Sequence, residues 1–301
     1  MTQADPTKFL NHPQSALNEA EVLFLSLPYE ATVSYMKGTA LGPAAILAAS
    51  HQLEDMEEET GRSPTLDLKI HALLPLEHNV GEATASYISR VEAAARVRPE
   101  AFLVALGGEH SVTPPLVRAR MTPGDTVVVI DAHPDLRESY EGDKLSHASA
   151  MRRVVENGFK VVQIATGCDT PEEREFIAGR KDFTRFWARE CATREGFADL
   201  LACLQALSGR VWFSVDLDGL CTSIMPGVGT PIPGGLGWHR TVDVVRALFM
   251  NPRVKVAGMD VVELRPLPES ELSEFTAAKL IQKCLGMRSG GGSLSNSRAR
   301  A

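Results

Sequence analysis

The stretch that most constrains this chain is Val127-Val128-Val129-Ile130-Asp131-Ala132-His133-Pro134-Asp135. A run of branched apolar residues reads as a strand buried on both faces of a parallel sheet, and it ends abruptly in acid, imidazole and acid spaced two residues apart. Pro134 disfavours the α region at His133, so the chain is expected to stay extended there, with Asp131, His133 and Asp135 pointing the same way. Metal-capable groups at the carboxyl end of a buried strand lie where an open α/β sheet places its site. The blander alternative is that both acids cap turns and His133 is a surface residue.

The same logic recurs along the chain. An apolar strand over 101–106 runs into Gly107-Gly108-Glu109-His110-Ser111. The paired glycines permit a tight turn that brings His110 to the same sheet edge; as a phosphate cradle the segment lacks the glycine spacing and the lysine. A strand over 211–217 carries Asp216 and Asp218, again two apart and on one face. A last strand over 254–259 is followed by Asp260 and Glu263. Further strands are expected at 22–27, 67–76, 159–165 and 183–187.

Helices are expected at 44–58 after Pro43, 83–97, 148–157 closed by Gly158, 171–178, 195–208, 241–250 and 271–285. His147 opens the third of these, either over the crevice or as an incidental first-turn residue behind an N-cap at Ser146. The loop over 219–237, rich in proline and glycine, reads as a shaped rim of a site. Strands alternating with helices argue an α/β fold whose mostly parallel sheet is covered by helices on both faces.

The 301 residues contain no internal linker, so one domain is expected over 1–288, with a tail of disordered composition over 289–301. A net charge of -7 without a Lys/Arg cluster argues against nucleic acid and suits a cationic small molecule. Five dispersed cysteines without CxxC spacing indicate neither a disulfide framework nor a zinc knuckle and fit a reducing cytoplasm. The first residues lack a basic region followed by an apolar core, and no apolar run reaches membrane-spanning length.

His110, Asp131, His133, Asp135, Asp216 and Asp218 offer imidazole and carboxylate donors and no thiolate. Such a set suits Mn²⁺, with Zn²⁺, Ni²⁺ or Fe²⁺ chemically possible. Six ligands exceed the need of one ion but fit two ions about 3.5–4 Å apart that share carboxylates, and a water between them would titrate near roughly 7 rather than about 15.7.

GGEHS at 107–111, DAHPD at 131–135, SVDLD at 214–218 and GMDVVE at 258–263, in this order, resemble the signatures of the ureohydrolases, the arginase and agmatinase superfamily, over 28–285. The resemblance implies an arginase-like three-layer α/β/α sandwich, two Mn²⁺ per subunit, hydrolysis of a guanidino group to urea and an amine, and a trimeric or hexameric homo-oligomer. Carried over by position, one ion would take His110, Asp131, Asp135 and Asp216. The other would take His133 and Asp218, with Asp131 and Asp216 bridging. The same carry-over gives Glu263, assisted by Asp260, the substrate guanidinium; His147 the proton transfer to the leaving amine; and Asp218 a part in stabilising the tetrahedral intermediate.

DAHPDLR followed by YEGDKLSHAS looks most like agmatinases, and the Asn- and Ser-bearing segment by which arginases hold an α-amino acid head is not found. Agmatine, giving putrescine and urea, is therefore the first substrate expected, with N1-aminopropylagmatine, guanidinobutyrate or another guanidino compound as alternatives. The acids of the 138–143 loop are candidates for the distal ammonium. A single-zinc amidohydrolase of the deacetylase type and a non-catalytic metal-binding member are the competing classes. One departure stands out: Cys221-Thr222 replaces the Asp-Pro pair usual in the family, which bears on loop geometry and substrate preference.

Overall fold

Alternate residues of the central strand feed opposite cores. Val127 and Val129 enter one buried cluster, Val128 and Ile130 the other. A strand apolar on both sides must be covered twice, and burying its side chains contributes about 1.5–3 kcal/mol each. The computed structural model, which describes Asp5 and residues 7–289, satisfies this with a three-layer α/β/α sandwich.

Eight strands form one sheet: β1 Val22–Leu27, β2 Ile70–Ala72, β3 Phe102–Gly107, β4 Thr126–Ile130, β5 Lys160–Thr166, β6 Phe183–Trp187, β7 Gly209–Asp216 and β8 Val254–Val262. Their order is β2-β1-β3-β8-β7-β4-β5-β6, and every neighbouring pair is parallel. The helices are α1 Gly42–Ser50, α2 Pro64–Asp67, α3 Thr84–Ala95, α4 Thr113–Arg120, α5 Ala150–Glu156, α6 Pro171–Ile177, α7 Ala188–Ala192, α8 Arg194–Ala206, α9 Trp238–Phe249 and α10 Leu272–Ser289. Ile46, Leu200, Val245 and Ile281 bring α1, α8, α9 and α10 onto one face; Tyr87, Leu116 and Met151 bring α3, α4 and α5 onto the other.

This strand order has a direct consequence for the site. The four strands whose ends carry the acid and imidazole motifs, β3, β8, β7 and β4, are the four central neighbours. Parallel pairing puts their carboxyl ends on one edge, so residues more than a hundred positions apart converge there.

Several boundaries differ from expectation. The helix expected at 44–58 stops at Ser50, whose hydroxyl bonds back to the Leu47 carbonyl while accepting the Leu10 N–H. Glu57 and its neighbours turn instead towards Lys283. The strand expected at 67–76 shrinks to β2. Three helices went unread: the short α2, α4, which begins Thr113-Pro114-Pro115, and α7. Pro114 and Pro115 look like breakers, yet the first turn is where a helix has no N–H to lose. The tail expected from 289 lies outside the described residues, except that Ser289 still belongs to α10. No helix among the described residues is long and apolar enough to cross a membrane.

Candidate metal centre and its cleft

β4 ends at Ile130, and the segment after it does not stay extended. Asp131 Oδ1 accepts the His133 N–H at 2.6 Å, a side-chain-to-backbone turn that Asp residues favour. Asp135 then adopts φ +51. The expectation that three side chains point alike is therefore corrected: the turn aims His133 towards Asp218 and Asp135 towards His110.

The structure brings the six residues into two overlapping groups. His110, Asp131, Asp135 and Asp216 form one; Asp131, His133 and Asp218 form the other; in each, one donor atom per residue lies within 4.8 Å of the rest. Asp131 belongs to both, whereas Asp216 falls with the first group alone. Asp216 Oδ1 accepts the Asp218 N–H at 3.0 Å, and Asp218 Oδ1 accepts the Ala132 N–H at 3.0 Å, which ties the end of β7 to the end of β4. Close approach here requires Gly219, since a Cβ on it would stand 2.6 Å from the Asp131 nitrogen. Gly108 is needed for a like reason, because its Cβ would fall on the Tyr29 carbonyl oxygen.

Hydrogen-bond direction shows what this arrangement favours. Asp260 accepts from Trp212 Nε1, Thr113 Oγ1 and Ser214 Oγ. With its proton committed to Asp260, Ser214 can only accept from His110 Nε2, 3.2 Å away. On the other side of the ring Nδ1 faces Asp135, Asp216 and Asp131 oxygens at 3.0, 3.3 and 3.4 Å, and although burial pulls the other way these carboxylates hold the His110 pKa well above its ordinary value. A nitrogen facing three carboxylates favours positive charge between them, which a metal ion held by Nδ1 would supply in place of a proton. Asp131 Oδ2 is also buried without a hydrogen-bond partner. Burial and the Asp135 charge push the Asp131 carboxyl up to about 8, and burial with the charges of Asp218 and Asp131 lifts Asp216 as well. Each of these features fits a divalent ion in each group, and the hard donor set fits an oxygen-preferring metal.

Asp260 needs a correction. β8 runs three residues further than expected, so Asp260 lies inside the strand, fully buried, with its carboxylate spent on Trp212, Thr113 and Ser214. It supports His110 from behind and does not line the cleft.

Glu263, just past β8, does line the cleft, a cavity of about 330 Å³ that also takes in His133, Asp135, His147, Asp216 and Asp218. Its Oε1 accepts the His110 N–H at 2.7 Å, and its φ of +65 is a strained conformation of the kind that collects at functional sites. Burial and the charges of Asp216 and Glu109 hold the Glu263 carboxyl well above its ordinary value, so the site favours a cation beside it. His147 sits at the start of a 3-10 turn over the cleft; Ser146 makes no side-chain cap there.

Around the mouth stand Tyr35, Met36, Tyr140, Cys168 and Thr230. The acids of the 138–143 loop turn elsewhere: Glu138 pairs with Lys144, and Asp143 caps the Leu145 N–H. Cys221 bonds Ser223 and lies away from the cleft, which takes Cys168 instead. Sequence reading missed Cys168, Thr32 and Glu109; only the last, inside GGEHS, carried a signal.

A model of the arginase family matches residues 20–286. The N(1)-aminopropylagmatine ureohydrolase of Synechocystis sp. is 40% identical over 297 residues, spanning 93% of this chain and 96% of that protein. The agmatinase of Pyrococcus horikoshii is 32% identical over 279 residues, spanning 91% and 94%. Among solved structures, the agmatine ureohydrolase of Thermoplasma volcanium superposes with a TM-score of 0.82 at 27% identity, covering 92% of each chain.

Proposed function

The chain belongs to the arginase family of hydrolases, and from that premise we propose that it is a manganese-dependent ureohydrolase that releases urea from a guanidino polyamine. The observation that carries the reading is one cleft lined by members of two acid-and-imidazole groups that share the buried Asp131, with Glu263 and His147 facing the same space. His110, Asp131, Asp135 and Asp216 would hold one Mn²⁺ and Asp131, His133 and Asp218 the other. Bound there, the ions supply an activated water at neutral pH.

The chain's own residues do the rest. Glu263 holds the planar guanidinium by charge-assisted hydrogen bonds, a role its raised pKa suits because a cation relieves the repulsion from Asp216. His147 delivers a proton to the departing nitrogen, without which an amide anion would have to leave. Buried Asp260 keeps His110 in the tautomer that presents Nδ1 to the ion.

Between substrates, the 40% identity to the Synechocystis N(1)-aminopropylagmatine ureohydrolase, against 32% to the Pyrococcus agmatinase, supports N1-aminopropylagmatine ahead of agmatine, the first expectation from the motifs. A cytoplasmic location and a trimer or hexamer are part of the same proposal. The test is urea release from N1-aminopropylagmatine, agmatine, guanidinobutyrate and arginine by Mn²⁺-loaded protein, with bound metal counted on the same sample. About two ions per chain with turnover of one polyamine is the expected result. One zinc per chain with amide hydrolysis, or two ions with no urea from any guanidino compound, overturns it.

A further inference from the structure

Behind the wall of the cleft runs a hydrogen-bonded chain that ends on His147. Glu109 is fully buried at the end of the Gly107-Gly108 turn, next to His110 in sequence. Its Oε2 accepts the N–H groups of Ala31 and Thr32 at 2.8 and 2.7 Å. Its Oε1 accepts the hydroxyls of Thr32 and Ser111 at 2.7 and 2.6 Å. Four donors converge on one carboxylate, so the Thr32 proton points at Glu109.

That leaves the Thr32 oxygen free to accept, and it faces two nitrogens of His147: the backbone N–H at 3.0 Å and Nδ1 at 3.0 Å. A hydroxyl whose proton is spent can meet Nδ1 only if Nδ1 carries a hydrogen. The segment bearing Thr32 is held at its far end too, where Glu30 Oε2 accepts the Gly38 and Ala40 N–H groups. On its other side the His147 ring meets Tyr140 edge-on at 5.6 Å between centroids, with the Arg137 guanidinium stacked on Tyr140 beyond it.

We propose that Thr32, oriented by Glu109, is a positioning residue that fixes His147 as the Nδ1–H tautomer and so turns Nε2 to the substrate as the proton-transferring atom. The proposal rests on the reading of His147 given above. It makes the loop after β1, which also carries Tyr35 and Met36 to the cleft mouth, part of the catalytic apparatus. It also explains why an acid directly precedes His110: one turn fixes the ligand histidine and, through Thr32, the proton-transferring one.

The test uses Thr32→Val, which keeps the backbone bond to Glu109 and the side-chain volume, and Thr32→Ser, which keeps the hydroxyl. Thr32→Val is expected to hold its two metal ions and a KM within about threefold, while kcat falls at least about tenfold, part of the 10²–10⁴ that general acid–base catalysis contributes. Thr32→Ser is expected to restore most of kcat. Histidine-selective ¹⁵N spectra of Zn²⁺-loaded protein, free of paramagnetic broadening, should show His147 as Nδ1–H in the parent and as a mixture in Thr32→Val. A parent spectrum with the proton on Nε2, a Thr32→Val enzyme with parental kcat, or a Thr32→Ser enzyme as slow as Thr32→Val overturns the proposal. Full turnover by His147→Ala would instead overturn the proton-transfer reading, and the spectrum alone would then decide the tautomer.

Discussion

Glu263 and His110 are joined by the bond from the His110 N–H to Glu263 Oε1 at 2.7 Å, so the acid proposed to hold the substrate is fastened to the turn that carries a proposed metal ligand. Glu263→Gln keeps an oxygen to accept that bond and removes only the charge. Bound metal should stay near two ions per chain, while KM for the guanidino substrate rises roughly 10- to 100-fold, the value of one charge-assisted hydrogen bond. Loss of metal from the purified variant would show that Glu263 serves the centre rather than the substrate.

Asp131 and Asp135 should differ in what they cost. Asp131 belongs to both donor groups and Asp135 to the first alone. Asp131→Asn is expected to leave essentially no bound metal, and Asp135→Asn about one ion per chain. Turnover should drop at least about 10³-fold in Asp131→Asn, because a free water ionises near about 15.7 and a metal-held one near roughly 7. Equal metal content in the two variants, by elemental analysis, would contradict the shared position of Asp131.

Removing the metal should make stability fall as pH rises. Burial and the Asp135 charge hold Asp131 up at about 8; burial pulls His133 down, but Asp218 and Asp131 lift it to about 11. Both values exceed those of an unfolded chain, roughly 3.9 and 6.5, so folding takes up protons. The contribution from Asp131 is complete below about 4 and lost on the way to about 8; that from His133 is complete below about 6.5 and lost towards about 11. Calorimetry of EDTA-dialysed protein should therefore give a Tm that decreases from pH 6 to 9. Mn²⁺ takes the place of the protons, so the loaded protein should change less and the gain from metal should grow with pH. A Tm of stripped protein that rises over this range would contradict the assignment.

Much of this was legible in the sequence because the same physics wrote it. A both-faces-buried strand must be apolar at nearly every position, so β1, β3 and β4 stand out, and acids at such strand ends have no structural reason to cluster. What the sequence did not show depends on non-local geometry. Asp260 reads like Glu263 along the chain; only the three extra residues of β8 place it behind Ser214 instead of in the cleft. Thr32 sits in an unremarkable loop, and its role exists only because Glu109, 77 positions away, accepts its proton. Asp135 looked extended by alternation, but a φ of +51 aims it at His110, a choice made by tertiary contacts.

Lys283 gives a last prediction, away from the chemistry. It is 1% exposed on α10, with its ammonium 2.6 Å from Glu57, 2.6 Å from Glu58 and 3.0 Å from Glu59. Although burial pulls it down, those glutamates hold its pKa above the ordinary value, so it stays charged. Lys283→Ala leaves fully buried Glu57 without its cation, and breaking a buried pair from one side costs about 3–5 kcal/mol. Replacing both partners, Lys283→Met with Glu57→Leu, removes both charges and should recover much of that loss, since apolar isosteres of a buried pair are often neutral. Urea unfolding of the single and double variants decides it: a double variant as unstable as Lys283→Ala would mean that packing at α10, rather than an orphaned charge, sets the cost.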